Sequence, residues 1–289
     1  MISAPASPSR TLAFRNAVLT GACGGLGQAL ARELTAQGAQ VALLGMDPQV
    51  LAQLAQLAPA RTRTYTVDVT DAQAMKTVAR DWMEWAGPPD LVIANAGVAS
   101  GFDTAYAADL AVLRRMLEIN VLGPATTFQP FVQAWLHAAP QRCALVGVAS
   151  IAGWRGMPGN GAYCASKGGL IRYLESLRAE WRGTHVSVHT VCPGYLRTAL
   201  TAHNTFAMPG LMEPQAAARI MLARLAKGHT HIVLPRRTGW LSRALACLPD
   251  AWTDRLLRGQ PRKARWGESG GNAIPGMPPS GDRAPPGEA

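Results

Sequence analysis

The chain has 289 residues, of which 48% are hydrophobic and only 16% charged, which excludes a globally disordered protein and allows a substantial core. The formal net charge is +10, but a net +6 of it falls between Arg236 and Trp266, so the rest of the chain is only mildly basic. The five cysteines show no CxxC or Cys/His ligand spacing, which argues against a disulfide framework or a zinc site and for reduced thiols in a cytoplasmic protein.

In chain order, residues 1–12 are Ser, Pro and Ala rich, carry no apolar core segment and read as a flexible N-terminus rather than a signal peptide. Short apolar runs then alternate with helix-length segments. Strands are expected at 16–20, 40–45, 62–67, 90–95, 144–150, 185–193 and 231–235. Helices are expected at 26–37, from Pro48 onward, and at 75–86, 109–134, 162–182 and 214–227. This alternation predicts one α/β domain over 13–235, a single Rossmann-like doubly wound parallel sheet with helices on both faces. Residues 195–212 read as a loop long enough to act as a lid. Residues 236–258 form a basic amphipathic extension, and the Pro/Gly-rich residues 259–289 are expected to be disordered.

Two motifs carry chemistry. TGACGGLG (20–27) follows a strand and opens a helix. Gly21 permits the tight turn, while Gly25 and Gly27 allow close approach of a pyrophosphate to the free N–H groups of the helix start. The end of the second strand reads Gly45-Met46-Asp47, without the acidic residue that would hold a ribose 2′-hydroxyl. Asp47 is better placed to cap the helix at Pro48. NAD(P) is therefore expected, with a slight lean to NADP because Gly45 does not repel a phosphate.

In the second motif, Tyr163 and Lys167 stand at i and i+4 in AYCASKGG, on one helix face, and Ser150 ends the preceding strand. Carbonyl reduction needs a proton as well as a hydride. A free phenol, with a pKa near 10, is a poor proton relay at neutral pH, and a neighbouring ammonium favours the phenolate. Cys164 reads as a packed thiol. Trp154, Met157, Tyr195, Met208 and Met212 are candidates for an apolar substrate pocket, with packing under the adjacent loop an equal alternative for Trp154.

The chain resembles the short-chain dehydrogenase/reductase family over roughly residues 13–235. Besides TGACGGLG, the resemblance rests on Asp68-Val69, on ANAG (94–97), on Asn120 in EINVLG, on Ser150, Tyr163 and Lys167, and on PGYLRT (193–198). It implies an NAD(P)-dependent enzyme that interconverts an alcohol and a carbonyl without a metal. Asn120, Ser150, Tyr163 and Lys167 would be catalytic. Gly21, Gly25, Leu26, Gly27, Asp68, Val69, Asn95, Ala96, Gly97, Tyr163, Lys167, Pro193, Gly194 and Thr198 would hold the cofactor. Ser150, Trp154, Tyr163 and Tyr195 would meet the substrate. Ala94 stands where the family has Asn, a lost side-chain bond on the central strand. The family also implies a dimer or tetramer through the helices at 105–134 and 162–182. The alternative is a redox-inactive NAD(P)-sensing protein, which has no need of Ser150, Tyr163 and Lys167 together. Nucleic acid is not expected as a partner, because the basic residues cluster late in the chain without interleaved aromatics. In 236–258, contact with an anionic membrane surface competes with packing against the domain or a second subunit.

Overall fold

The structure, a computed structural model, describes residues 14–137 and 142–277. The expected flexible N-terminus lies outside these residues, as do residues 278–289.

Among the described residues, seven strands form one parallel sheet in the order β3-β2-β1-β4-β5-β6-β7. They are β1 (Asn16–Leu19), β2 (Gln40–Gly45), β3 (Thr62–Thr66), β4 (Leu91–Ala94), β5 (Cys143–Val148), β6 (Val186–Pro193) and β7 (His231–Leu234). Every residue of β1, β4 and β5 is buried, as expected of central parallel strands covered on both faces. Alternate residues serve opposite faces. Ala17, Leu19, Val41 and Leu43 join the core beneath α1 (Gly25–Ala36), α2 (Pro48–Ala55) and α8 (Pro214–Ala226). Val18, Ala42, Leu44 and Val92 join the other, beneath α3 (Ala72–Ala86), α4 (Asp109–Leu117), α5 (Gly123–Trp135) and α6 (Gly161–Glu180).

Helix starts follow from local chemistry. Asp47 caps α2 through Gln49 N and Val50 N at 2.9 and 3.1 Å, with Pro48 in the first turn. Asp71 caps α3 in the same way. The strand order reverses between β1 and β4, which opens a crevice at their carboxyl ends.

Two expectations are corrected. The single helix expected at 109–134 is two, joined by a π-helical turn at Glu118–Leu122 around Asn120. Such turns are frequent at functional sites. Nor are residues 259–277 without a core. Trp266 and Ile274 are buried in the apolar cluster of α3–α6, Asn272 is buried, and Arg265 pairs with Gly101 in a β-bridge. Glycine permits this tight path: a Cβ on Gly271 would lie 2.1 Å from Arg265 O. Between this segment and the sheet stand α9 (Arg236–Ala246) and α10 (Asp250–Leu257).

Candidate active site

The crevice floor is the Gly-rich turn. Gly21 has φ of 64°, and a Cβ there would lie 2.7 Å from Ala96 Cα. A Cβ on Gly27 would lie 2.0 Å from Gly21 O, so no side chain fits. Helix α1 starts at Gly24 without a side-chain cap, which leaves its first N–H groups and its positive dipole end facing the crevice. Thr20 Oγ1 accepts from Asn95 N and Ala96 N at 3.1 and 3.2 Å, and Asn95 Nδ2 donates to Thr20 O and Gly21 O at 3.1 Å. Asn95 therefore stitches β4 to β1, the task that Ala94 was expected to leave undone.

At the β2 end, a Cβ on Gly45 would lie 2.4 Å from Cys23 Sγ, and the Asp47 carboxylate is turned to its cap. Asp68 Oδ1 accepts from Thr70 N and Oγ1, and Oδ2 accepts from Arg115. Burial raises this carboxyl, but those hydrogen bonds outweigh it and hold the group below the usual carboxylate range. Thr126 donates to Val69 O, so both residues of the Asp68-Val69 pair are fixed in place.

Ser150 follows β5, and Tyr163 and Lys167 ride the first turns of α6. Ser150 Oγ donates to Pro193 O at 3.4 Å and accepts from Ala152 N at 3.1 Å. Lys167 Nζ donates to Val148 O at 2.9 Å and lies 5.9 Å from the Tyr163 ring centroid. Asn120 is fully buried: its Oδ1 accepts from Val98 N, and its Nδ2 donates to Val98 O and Ser166 Oγ, all at 2.9 Å. Asn120 Oδ1 and Lys167 Nζ converge on Gly97, each 3.1 Å from where its Cβ would stand.

Burial pushes the phenol up to about 12, opposed by the Ser150 hydroxyl. Burial also brings the Lys167 ammonium down to about 8. Cys164 is buried and burial raises its thiol, as suits a packed residue.

The far wall comes from the β6 end and the lid. Gly194 N donates to Leu234 O at 2.6 Å. Thr198, which starts the short helix α7 (Ala199–Ala202), packs on the Gly-rich turn: a Cβ on Gly25 would lie 2.6 Å from Thr198 Cγ2. The lid base is pinned by the Leu196–Met212 bridge and the Arg197–Glu213 ion pair at 2.6 Å. Tyr195 packs edge-on to Phe206, at 6.2 Å between centroids. Trp154 makes packing contacts at this end of the sheet. It stacks with His231 at 6.1 Å and lies under Arg243 at 5.0 Å, beneath α9.

Sequence reasoning missed several participants. Ser166 bridges Asn120 to Tyr163 O, and its place three residues after Tyr163 was readable in AYCASKGG. Arg115, 47 residues from Asp68, was not readable. Neither was Asn272, whose Nδ2 donates to Ala99 O at 2.9 Å and Leu200 O at 3.2 Å, joining the β4 wall to the lid. Lys263 also donates to Leu200 O at 3.0 Å, and a cavity of about 490 Å³ opens between residues 202–206 and 262–270.

A crevice of this kind, at the switch point of a parallel sheet, is that of an α/β oxidoreductase. The family model of short chain dehydrogenases matches residues 15–208, and the chain belongs to the short-chain dehydrogenase/reductase family. An uncharacterized oxidoreductase of Myxococcus xanthus is 36% identical over 86% of this chain and 98% of its own length. A cis-4-hydroxycyclohexanecarboxylate dehydrogenase of Sinomonas cyclohexanicum is 31% identical over 74% of this chain and 85% of its own. Among solved structures, a short chain dehydrogenase of Burkholderia cenocepacia in complex with NADP has a TM-score of 0.73 and 25% identity, covering 84% of this chain and 97% of its own.

Proposed function

We propose that the protein interconverts an alcohol and a carbonyl with NAD(P), Tyr163 moving the proton. The observation that carries this reading is the convergence of Lys167 Nζ and Asn120 Oδ1 over Gly97, with the Ser150 hydroxyl opposing the effect of burial on the Tyr163 phenol. The cradle fits a dinucleotide: Gly21, Gly25 and Gly27 leave no room for side chains, the α1 start offers N–H groups, and Thr198 closes over Gly25. When bound there, the dinucleotide supplies or accepts the hydride.

Ser150 holds the substrate oxygen beside the phenol. In the reducing direction Tyr163 gives its proton to that oxygen, and burial keeps the phenol in its protonated form at neutral pH before it does so. In the oxidising direction it accepts one, with the Ser150 hydroxyl stabilising the phenolate. Lys167, charged below about pH 8, binds the ribose side of the site, and Asn120 is the anchor for water leading from Lys167 to solvent.

The reading leans to NADP, because Gly45 carries no carboxylate and Asp47 is spent on its helix. An apolar substrate fits Tyr195, Phe206 and Met212 along the lid. Self-association would cover Leu110, Leu117, Leu122 and Leu136, exposed along α4 and α5.

The test is absorbance at the reduced-nicotinamide band with NADPH or NADH and a panel of apolar ketones and alcohols. Turnover with a preference for NADPH is expected. Dinucleotide binding with no turnover across the panel would support a sensor instead and overturn the reading.

A further inference from the structure

Helices α9 and α10 are inverted relative to ordinary surface helices. Each turns a small residue to the protein: Gly239 meets Val233, 2.2 Å from where its Cβ would stand, and Thr253 is buried. Each turns its largest apolar residues to solvent. Trp240 is 72% and Trp252 70% exposed, and Leu241 and Leu256 stand beside them on their helices. A soluble helix hides such side chains and shows polar ones. Large apolar side chains left in solvent in this number on one short segment mark an interaction surface.

The charge on this element identifies the partner. Residues 236–258 hold five Arg against two Asp. Arg236, Arg237, Arg255 and Arg258 are exposed, whereas Asp250 is consumed by an ion pair with Arg155 at 2.6 Å. A second copy of this chain would bring a like charge to the same face. A nucleic acid would use the arginines and leave the tryptophans and leucines wet. An anionic bilayer surface satisfies both sets, with tryptophan at the headgroup level and arginine on the phosphates. Among the described residues no helix is long and apolar enough to cross a membrane, so these helices would lie on the surface.

We propose that α9 and α10 dock the protein on an anionic phospholipid bilayer. The docking face adjoins the site: Arg243 of α9 covers Trp154, four residues after Ser150, and Gly210 of the lid abuts Thr238, 2.3 Å from where its Cβ would stand. On the reading of an apolar substrate, the lid then lies where that substrate dissolves. The docking itself does not depend on that reading.

The test is co-sedimentation of the full chain with phosphatidylcholine vesicles, with and without phosphatidylglycerol, together with W240S/W252S and R236Q/R237Q variants. All four positions are exposed, and a thermal melt matching wild type checks the fold. Wild type is expected to pellet only with the anionic vesicles and to be released by salt. The tryptophan pair should cost about 100-fold in partitioning, from two large apolar side chains lost from burial. The arginine pair should remove the anionic preference. Failure to bind anionic vesicles, or equal binding by all variants, would overturn the proposal, as would a dimer that W240S/W252S dissociates without any vesicle binding. Turnover in solution by these variants reports on the chemistry separately, so its failure is distinguishable from failure to dock.

Discussion

In the sheet from β1 to β7, apolar residues are covered on both faces, and the helices on each side bury apolar residues against it. After β7 the relation breaks into two opposite halves. Helices α9 and α10 leave their tryptophans in solvent, whereas the Gly- and Pro-rich stretch at 262–277 buries Trp266, Asn272 and Ile274. Composition ranks the two halves the wrong way round, because burial depends on what a segment meets as well as on what it contains.

This contrast can be broken most forcefully at two tryptophans. Trp82 in α3 is fully buried and donates to Asn16 Oδ1 at 2.9 Å, and Trp266 is 8% exposed. Each change to Ala is expected to cost about 3–5 kcal/mol in chemical denaturation. A Trp266→Ala protein as stable as wild type would return the C-terminal segment to a loose tail.

Next in size is Gly27→Ala. Its Cβ would meet the Gly21 backbone, which cannot rotate away, so a loss of about 1–3 kcal/mol is expected together with weakened dinucleotide binding. Unchanged affinity by titration would remove the turn from the site. Asn272→Ala should cost about 1 kcal/mol and speed dinucleotide release, because it unties Ala99 from Leu200. Stopped-flow release at the wild-type rate would separate the strap from the crevice.

A further effect is a slope with pH. The folded Lys167 sheds its proton near pH 8, whereas the unfolded chain keeps it to about 10.5. The unfolded state thus binds more protons in that window, and this site's contribution to stability rises with pH there. Wild type should gain on Lys167→Met between pH 8 and 10 in denaturation series. A constant difference would place the ammonium in a wetter setting than its burial implies.

Much of the body was legible because local chemistry fixes it. The strand ends, the Gly-rich turn and the Asp47 cap each follow from a few consecutive residues. Ser150, Tyr163, Lys167 and Asn120 were singled out by spacing and family resemblance, and their roles belong to the proposal. The π turn at Asn120 was not, since one extra residue per turn barely alters the apolar pattern of 109–134. For Trp154, read with pocket wall and packing as equal alternatives, proximity to Ser150 in sequence does not reveal its contacts with His231 and Arg243. Arg115 and Asn272 reach partners 47 and 173 residues away, contacts that no periodicity encodes.

The central claim is that Tyr163 moves the proton, and Tyr163→Phe tests it most directly because it removes one hydroxyl and keeps the ring. With dinucleotide affinity measured alongside, kcat is expected to fall by about 10²–10⁴-fold while that affinity stays within roughly twofold of wild type. Turnover unchanged in Tyr163→Phe would contradict the account.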